Sequence, residues 1–249
     1  MKRTTLKISD NRAEPVDCGI QVRRALEGYR ADPALQPFFG ERLMQRMELF
    51  GATLALWGAK TNLTAHPGDP VETAFHIIDS LMPLVLARKS GSDDLSAGFA
   101  AQRRVLDFGS GAGFPGLILA SACEAHFVLA EARQKRASFL KVAAAQMGLH
   151  NVEVLADRLI GPADIPGTFD AVVSRASGPS QIFYEIAAQT LAPRGLAVLY
   201  STPSQRLELT AARNAGLASY RRLDYTVRRD GETVERVLAV WRKQEKAYN

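Results

Sequence analysis

The chain has 249 residues, 47% of them hydrophobic, which is long enough for one sizeable core, with one domain and an extension as the default organisation. Its net charge of +5 favours a polyanionic partner such as nucleic acid. Only Cys18 and Cys123 occur, which excludes a disulfide framework and a Cys/His metal site and fits a reducing cytoplasm. The basic N-terminus lacks the apolar segment of a signal peptide, and no run reaches the roughly 18 apolar residues of a membrane span. We therefore expect a soluble, cytoplasmic protein that uses neither a membrane nor a metal.

Helical patterns fill the first 89 residues, after about 16 residues without a regular pattern that we expect to fray. A first helix is predicted from Asp17 to Arg30. A second amphipathic helix is predicted from apolar residues at spacings of four and three: Leu43, Met47, Phe50, Leu54 and Trp57. Asp69-Pro70 then supplies a cap and a first-turn proline for a third helix. Its apolar stripe consists of Val71, Ala74, Ile78, Leu81 and Val85.

Three polar residues share one side of this third predicted helix. His76, Asp79 and Ser80 stand at positions i, i+3 and i+4, away from the middle of the apolar stripe. They either face a ligand or form a polar helix edge or a set of hydrogen bonds between helices. The following segment, Ser90 to Gly98, is rich in Ser, Gly and Asp, which predicts a linker. We therefore divide the chain into an N-terminal helical extension, residues 1–89, and an α/β core, residues 90–249.

Beyond this segment, strand patterns alternate with helical patterns. The predicted elements are a strand ending at Phe108, a helix near 115–124, a strand over 126–131, a helix over 133–147, strands over 152–156 and 169–174, a helix over 181–191, a strand over 196–200 and a helix over 204–215. Such alternation predicts a parallel sheet with right-handed crossovers. Two last strands, over 220–229 and 233–241, flank Asp230-Gly231, which predicts an antiparallel hairpin. The fold class is therefore α/β, with a Rossmann-like, mostly parallel, seven-stranded sheet.

A glycine-rich turn follows the first predicted strand. Gly109, Gly111 and Gly113 stand at alternate positions before Pro115 opens a helical pattern. Glycines there allow positive φ and let a ligand lie against the backbone at a helix start, although tight turns also use glycine for packing alone. The spacing differs from the dinucleotide and P-loop fingerprints, and Asp107 would repel a pyrophosphate but suits the ammonium of an amino-acid moiety. The turn therefore points to S-adenosylmethionine, whose methyltransferases also have a mostly parallel sheet with a final hairpin.

Acidic and basic residues follow the next strands. Glu131 ends the second strand, about 20 residues after the turn, where doubly wound folds place a carboxylate that binds ribose hydroxyls. It also stands beside a predicted helix start. Asp157, after the third strand, is a candidate for the adenine amino group or a solvated loop acid. Arg175, after the fourth strand, holds cofactor or nucleic acid, or forms an ordinary ion pair.

Several motifs together resemble the glucose-inhibited division protein B family, the small-subunit ribosomal RNA methyltransferases G. They are Asn62-Leu63-Thr64, His76-x-x-Asp79-Ser80-Leu81, the run from Asp107 to Gly116, Lys135-Arg136, Phe169-Asp170, Ser174-Arg175-Ala176 and Glu235-Arg236, and the resemblance covers residues 40–243. It implies methyl transfer from S-adenosylmethionine to guanine N7 of 16S ribosomal RNA, or of the small subunit, in the bacterial cytoplasm.

The resemblance also implies individual contacts. It places the cofactor at Gly109, Phe114, Leu159, Ile160 and Arg175. We assign substrate or RNA contacts to Asn62, His76, Asp79, Ser80 and Arg136, although Asn62 also suits a loop cap. Further basic residues on the predicted helix over 133–147 and on the hairpin either line an RNA surface or form a solvated face: Arg133, Lys135, Lys141, Arg221, Arg222, Arg228 and Arg229. Guanine N7 carries a lone pair and no proton, so we assign no catalytic base, and positioning is expected to supply most of the rate.

The chain departs from the family pattern at four places. Leu159-Ile160-Gly161 replaces an Ala-Glu-Glu-like stretch, so only a backbone role is expected for Leu159 and Ile160. The other three departures lie elsewhere. Phe75 replaces a basic residue before the histidine, Gly58 replaces an asparagine after the tryptophan, and Ser201-Thr202 replaces a Lys-Gly pair after the fifth strand. These departures leave open a retuned target or weaker activity. Two alternative functions remain, a small-molecule methyltransferase on the same fold and a non-catalytic RNA-binding assembly factor, the second of which is consistent with the altered Phe75 and Ser201 positions. The first alternative requires an enclosed apolar substrate pocket, and the second requires that S-adenosylmethionine does not bind.

Overall fold

A computed structural model describes residues 15–90, 93–156, 165, 167–175 and 180–244. The helices are α1 (Pro15–Glu27), α2 (Glu41–Gly58), α3 (Pro70–Ser90), α4 (Asp93–Ala97), α5 (Gly116–Ala122), α6 (Gln134–Gln146), α7 (Ser180–Thr190) and α8 (Leu209–Ala215). The strands are β1 (Arg104–Phe108), β2 (His126–Ala130), β3 (Val152–Leu155), β4 (Phe169–Arg175), β5 (Leu191–Ser201), β6 (Leu217–Arg229) and β7 (Glu232–Lys243). The frayed end that the sequence predicts over residues 1–16 falls almost entirely outside the described residues.

The strands form one seven-stranded sheet in the order β3-β2-β1-β4-β5-β7-β6. Strands β1 to β5 run parallel to one another. Strand β7 is antiparallel to its two neighbours, β5 and β6. The strand order reverses between β1 and β4, and ligands of open α/β sheets bind at such a reversal, beyond the carboxyl ends of the strands. The predicted fold class is confirmed, and this edge is where the glycine-rich turn lies.

The final hairpin has the turn that its sequence predicts. Asp230 and Gly231 have φ values of 48° and 81°, the left-handed pair that a two-residue hairpin turn requires. The turn sets the register, so that Arg229 pairs with Glu232 and, further from the turn, Tyr225 pairs with Arg236. Residues paired in this way share one face of the hairpin.

Hydrophobic cores lie on both faces of the sheet. One cluster joins α1, α2 and α3 to α5, α6 and one sheet face, with Phe50, Phe75 and Phe139 fully buried. The other packs α7 and α8 on the opposite face, around Tyr184 and Trp241. The N-terminal helices therefore share a continuous core with the sheet.

The structure differs most clearly from the sequence prediction at three elements. The predicted linker is wrong over Asp93–Ala97, which is helix α4, because Leu95 is fully buried in the core and Phe99 nearly so. Composition alone does not indicate this helix, because Ser, Gly and Asp surround the two apolar residues. Helix α8 begins at Leu209 instead of residue 204, and β5 begins at Leu191 instead of Leu196.

Helix α3 is long and apolar enough, over Pro70–Lys89, to cross a membrane by length and composition alone. However, 72% of the apolar stretch is buried inside the protein. Ala74, Phe75, Ile78 and Leu81 all belong to the core next to the sheet. Burial against protein accounts for the hydrophobicity of this helix.

Candidate active site

The glycine-rich turn connects β1 to α5 at the carboxyl edge of the sheet. Gly109, Gly111 and Gly113 have φ values of 76°, 54° and 86°, which other residues adopt only with strain. The N–H groups of Gly109 and Ser110 both donate to the carbonyl of Ala130, at 2.9 and 3.1 Å. The turn is therefore fixed to the end of β2, and its three glycines are required by conformation.

The glycines differ in the space around them. A Cβ on Gly113 would lie 2.6 Å from Leu117 Cδ1, so a side chain there would force the buried Leu117 to shift. A Cβ on Gly111 would meet nothing closer than 3.8 Å, where it approaches Arg136 Nη1 and the carbonyl of Gly109. The backbone at Gly111 thus borders open space, which is the condition for a ligand to lie against it.

The carboxyl group of Asp107 is fully buried below the turn. Its Oδ2 accepts a hydrogen bond from the N–H of Gly116 at 3.0 Å, whereas Oδ1 has no hydrogen-bond partner among the described residues. Burial raises the pKa of Asp107 to about 7, against the lowering effect of its hydrogen bonds. The structure directs one oxygen of this acid to the start of α5, so only Oδ1 is left without a partner among the described residues.

Glu131 links the turn to the start of α6. Its Oε2 accepts from the N–H of Gly111 at 2.9 Å, and its Oε1 accepts from the N–H of Arg133 at 2.8 Å. The predicted acidic residue is thus adjacent to the turn, and it also accepts from Arg133, the residue that immediately precedes the following helix. Because each carboxylate oxygen has two lone pairs, both can accept a further hydrogen bond.

Asn62 and Arg136, far apart in sequence, meet beside the turn. Arg136 Nη2 donates to the backbone carbonyl of Asn62 at 2.8 Å, and Nη1 of the same guanidinium faces Gly111. The Asn62 residue is exposed. The loop after α2 and the first turn of α6 therefore border the same space as Gly111.

A polar cluster lies on the other side of the turn, around the buried carboxylate of Asp79. Arg175 Nη1 donates to Asp79 Oδ2 at 3.1 Å, and the Tyr225 hydroxyl donates to Oδ1 at 2.7 Å. Arg236 Nε lies 3.7 Å from Oδ1. The Asp79 carboxylate thus joins α3 to β4, β6 and β7.

The Arg175 guanidinium also covers the ring of Phe114, with Cζ 4.9 Å from the ring centroid. Phe114 is itself only 4% exposed and packs edge-on against Phe50. Its side chain therefore belongs to the core, and only its backbone is available to a ligand at the turn.

His76 lies against the same arginine. Its Nδ1 is 3.4 Å from Arg175 Nη1, and since arginine can only donate, Nδ1 is the acceptor and the ring proton is on Nε2. Burial, then the charges of Arg175, Arg236 and Arg229, lowers the pKa of His76 to about 3, so the ring is neutral at pH 7. Ser80 is fully buried, and its Oγ donates to the His76 carbonyl at 2.7 Å.

A separate cleft of about 460 Å³ lies at the opposite, amino edge of the sheet, lined by residues that include Arg42, Arg46, Glu124 and His150. Arg46 there donates to the carbonyls of Ser121, Met147 and Gly148 at the ends of α5 and α6. This cleft is larger than the space beside Arg175, but it contains none of the predicted site residues. We therefore place the candidate active site at the carboxyl edge.

A family model described as rRNA small subunit methyltransferase G, GidB, matches residues 43–232. The chain belongs to the GidB family. The match includes the glycine-rich turn, Glu131, Arg175 and the α3 residues His76 and Asp79.

Proteins named ribosomal RNA small subunit methyltransferase G resemble this GidB-family chain over most of its length. The one from Sorangium cellulosum is 37% identical over 198 residues, covering 78% of this chain and 75% of that protein. The one from Wolinella succinogenes is 34% identical, covering 65% and 77%. The one from Cupriavidus necator is 33% identical, covering 79% and 85%.

Solved structures with the same fold are more distant. A proposed sarcosine dimethylglycine methyltransferase of Galdieria sulphuraria matches with a TM-score of 0.53 and 14% identity, covering 72% of this chain and 88% of that one. A tRNA methyltransferase of Aquifex aeolicus matches with a TM-score of 0.50 and 15% identity, covering 64% and 70%. At these identities the likeness shows the fold alone.

The GidB-family site contains most of the residues singled out from the sequence, in two groups. Gly111, Glu131, Arg136 and Asn62 lie on one side of the turn, and His76, Asp79 and Arg175 lie on the other. Ser80 lies in the packing beneath the second group. Asp157, Leu159 and Ile160 fall outside the described residues. Arg236 and Tyr225 complete the second group, and sequence reasoning assigned them no role.

The departures from the family pattern have local physical reasons in two cases. A Cβ on Gly58 would lie 2.1 Å from Pro67 Cβ, so the close approach of the following loop requires glycine after Trp57. The Phe75 ring is fully buried, with the guanidinium carbons of Arg229 and Arg236 each 5.2 Å from its centroid. A basic residue at position 75 would place a third cation beside these two.

Proposed function

We propose that this protein transfers a methyl group from S-adenosylmethionine to guanine N7 of 16S ribosomal RNA in the bacterial cytoplasm. The observation that carries the proposal is the family match over residues 43–232, because it spans every residue of the two groups around the turn except Arg236. The positive net charge of +5 supports a nucleic-acid substrate.

The residues at the turn fit the methyl donor. Gly111 offers backbone beside open space, where an added Cβ would meet nothing closer than 3.8 Å. Glu131 is fixed by two backbone N–H groups and keeps lone pairs for ribose hydroxyls. When bound, S-adenosylmethionine supplies an electrophilic methyl group on a sulfonium. We assign its binding to Gly109, Gly111, Gly113, the Phe114 backbone and Glu131, with Asp157, Leu159, Ile160 and Arg175 as further contacts.

The chemistry at guanine N7 needs position more than proton transfer. N7 has a lone pair and no proton, so a residue that removes a proton is not required, and alignment supplies most of the rate. His76 and Asp79 suit such a role, because each is held by Arg175. Because its pKa is lowered to about 3, the His76 ring is neutral at pH 7 and adds no positive charge to this part of the site.

The lining of the site supports RNA over a small apolar substrate. Arg175 and Arg236 line a polar cleft beside the turn, and Arg136 lies on the other side. Guanidinium groups bind phosphates and stack on bases. We assign RNA or substrate contacts to Asn62, His76, Asp79 and Arg136, and an indirect, packing role to Ser80.

The test is methyl transfer with a defined product. Purified protein is incubated with tritiated S-adenosylmethionine and either small-subunit particles or naked 16S ribosomal RNA, both lacking the modification, and N7-methylguanine is mapped by reduction and aniline cleavage. We expect one modified guanine. Donor binding is measured in parallel by calorimetry. The control is Gln45→Glu on α2, an exposed substitution that changes the charge at the opposite edge of the sheet.

The alternatives give different results in this experiment. If calorimetry shows no heat with S-adenosylmethionine, the enzyme proposal fails and a non-catalytic RNA-binding factor remains. If the donor binds but the label enters small metabolites and not RNA, the protein is a small-molecule methyltransferase.

A further inference from the structure

A polar cleft of about 260 Å³ opens between α3, the ends of β4 and β5, and β7. Its lining residues are His76, Asp79, Arg175, Tyr200, Ser201, Thr202, Gln205 and Arg236. Its outer part is formed by residues 201–205 and Arg236, none of which is among the donor or substrate contacts assigned to the active site.

The cleft has more positive than negative charge. Arg175 and Arg236 face it, and Asp79 supplies one carboxylate between them. That carboxylate already accepts from Arg175 on Oδ2 and from the Tyr225 hydroxyl on Oδ1. Because His76 is neutral at pH 7, two fixed cations are balanced by one anion.

Arg236 is held toward the cleft without a full set of hydrogen bonds. Its Nε is buried and has no hydrogen-bond partner among the described residues, since Asp79 Oδ1 lies 3.7 Å away. Its guanidinium lies over the ring of Phe75, next to that of Arg229, which is itself paired with Glu72 at 3.4 Å. A buried donor without a partner costs free energy, so the shared Asp79 carboxylate leaves Arg236 incompletely bonded.

The outer lip adds small polar groups. Ser201 Oγ donates to Gln205 Oε1 at 3.0 Å, and Thr202 Oγ1 lies 3.1 Å from Ser204 Oγ. Gln205 is exposed. Phosphate oxygens accept hydrogen bonds from guanidinium, hydroxyl and amide groups, all of which are present in this cleft.

We propose that this cleft binds a backbone phosphate of the RNA strand that is methylated, with Arg236 as its main cation and Arg175 as the second. This inference rests on the proposed function, because it assumes an RNA substrate. It adds that Arg236 contributes to substrate binding and not to donor binding. Phe75 acts as a positioning residue, since its ring supports the Arg236 guanidinium.

Two substitutions test the site in the full-length protein. Arg236→Gln removes the cation, and Gln205→Glu places a carboxylate at the exposed lip with almost no change in shape. Arg103→Gln is the matched arginine control, because Arg103 is exposed, stands just before β1 at the opposite edge of the sheet, and pairs with Asp170 at 2.7 Å. Gln45→Glu is the matched charge control on the opposite edge.

The readouts are the affinity for transcribed 16S ribosomal RNA at several salt concentrations without donor, KM and kcat for methylation, and donor affinity by calorimetry. We expect Arg236→Gln to weaken RNA binding by about tenfold or more and to reduce the slope of log affinity against log salt by about one. We expect Gln205→Glu to weaken RNA binding in the same direction. Both controls should stay within about twofold, and donor affinity should not change in any variant.

The outcomes separate this inference from the proposed function. A purely structural role for Arg236 would lower the melting temperature without changing the salt slope, and Gln205→Glu tests the cleft even if Arg236→Gln does not fold. If the wild type methylates RNA but neither substitution changes RNA affinity or salt slope, the phosphate site is wrong. If the wild type binds neither donor nor RNA, the proposed function fails first.

Discussion

Asp79 on α3 accepts a hydrogen bond from Arg175 at the end of β4, with 3.1 Å between Oδ2 and Nη1, although 96 residues separate them. The Asp79 side chain is only 3% exposed, and its other oxygen binds the Tyr225 hydroxyl of β6. One carboxylate therefore fixes the N-terminal helices to the sheet at the edge where the glycine-rich turn lies.

Removing this carboxylate should be costly, because it leaves Arg175 and Arg236 without their shared anion. We expect Asp79→Ala to lower the free energy of unfolding by about 3–5 kcal/mol, and Tyr225→Phe by about 1–2 kcal/mol. Urea unfolding followed by circular dichroism measures both. Asp224→Ala, on the exposed side of β6, is the control and should leave the free energy of unfolding nearly unchanged. Equal losses for Asp79→Ala and Asp224→Ala would contradict this role.

The two glycines of the turn should respond differently to alanine. Gly113→Ala forces a left-handed φ of 86° and a contact 2.6 Å from Leu117 Cδ1, so we expect a loss of roughly 2–4 kcal/mol of stability. Gly111→Ala has space, so it should cost only about 1 kcal/mol from its backbone conformation. Its methyl group would nevertheless enter the space assigned to the methyl donor. Calorimetry should therefore show weaker donor binding by the folded Gly111→Ala protein, and unchanged affinity would place the donor elsewhere.

The parts of this structure that follow from local chemistry could be predicted from sequence. Alternate glycines after an apolar strand predicted the turn, and Asp230-Gly231 predicted the hairpin. The hairpin turn also fixes which residues face each other, so the pairing of Tyr225 with Arg236 could have been obtained by counting outward from the turn.

The parts that depend on how distant elements pack could not be predicted. Nothing in the spacing of His76, Asp79 and Ser80 shows that Tyr225 and Arg236 would approach Asp79 from a hairpin more than 140 residues away. Sequence alone also could not show that Asp107 is buried against Gly116, because an acid beside a glycine-rich turn suits a ligand equally well.

Glu131 should be required for both the turn and the start of α6. In Glu131→Gln, a single amide oxygen replaces two acceptors, so the N–H of Gly111 or that of Arg133 loses its partner. We expect a loss of about 1–3 kcal/mol of stability and weaker donor binding. Glu153→Gln on β3 is the control, since Glu153 is exposed and makes only a 3.9 Å contact with His126. Donor affinity equal in both variants would exclude Glu131 from the donor site.

The buried carboxyl of Asp107 should make stability depend on pH. Burial raises its pKa in the folded protein from 3.8 to about 7, so between these values the folded state binds more protons at this group than the unfolded state does. The contribution of this group to stability is therefore favourable at low pH and is lost as pH rises from about 4 to 7, by up to about 1.4 kcal/mol per pH unit. Asp107→Asn keeps an oxygen for the N–H of Gly116 and removes the titration. Thermal unfolding at pH 5.5 and pH 8 should show that the melting temperature of Asp107→Asn, relative to the wild type, is higher at pH 8. If the difference between the two proteins is the same at both pH values, Asp107 does not titrate in this range.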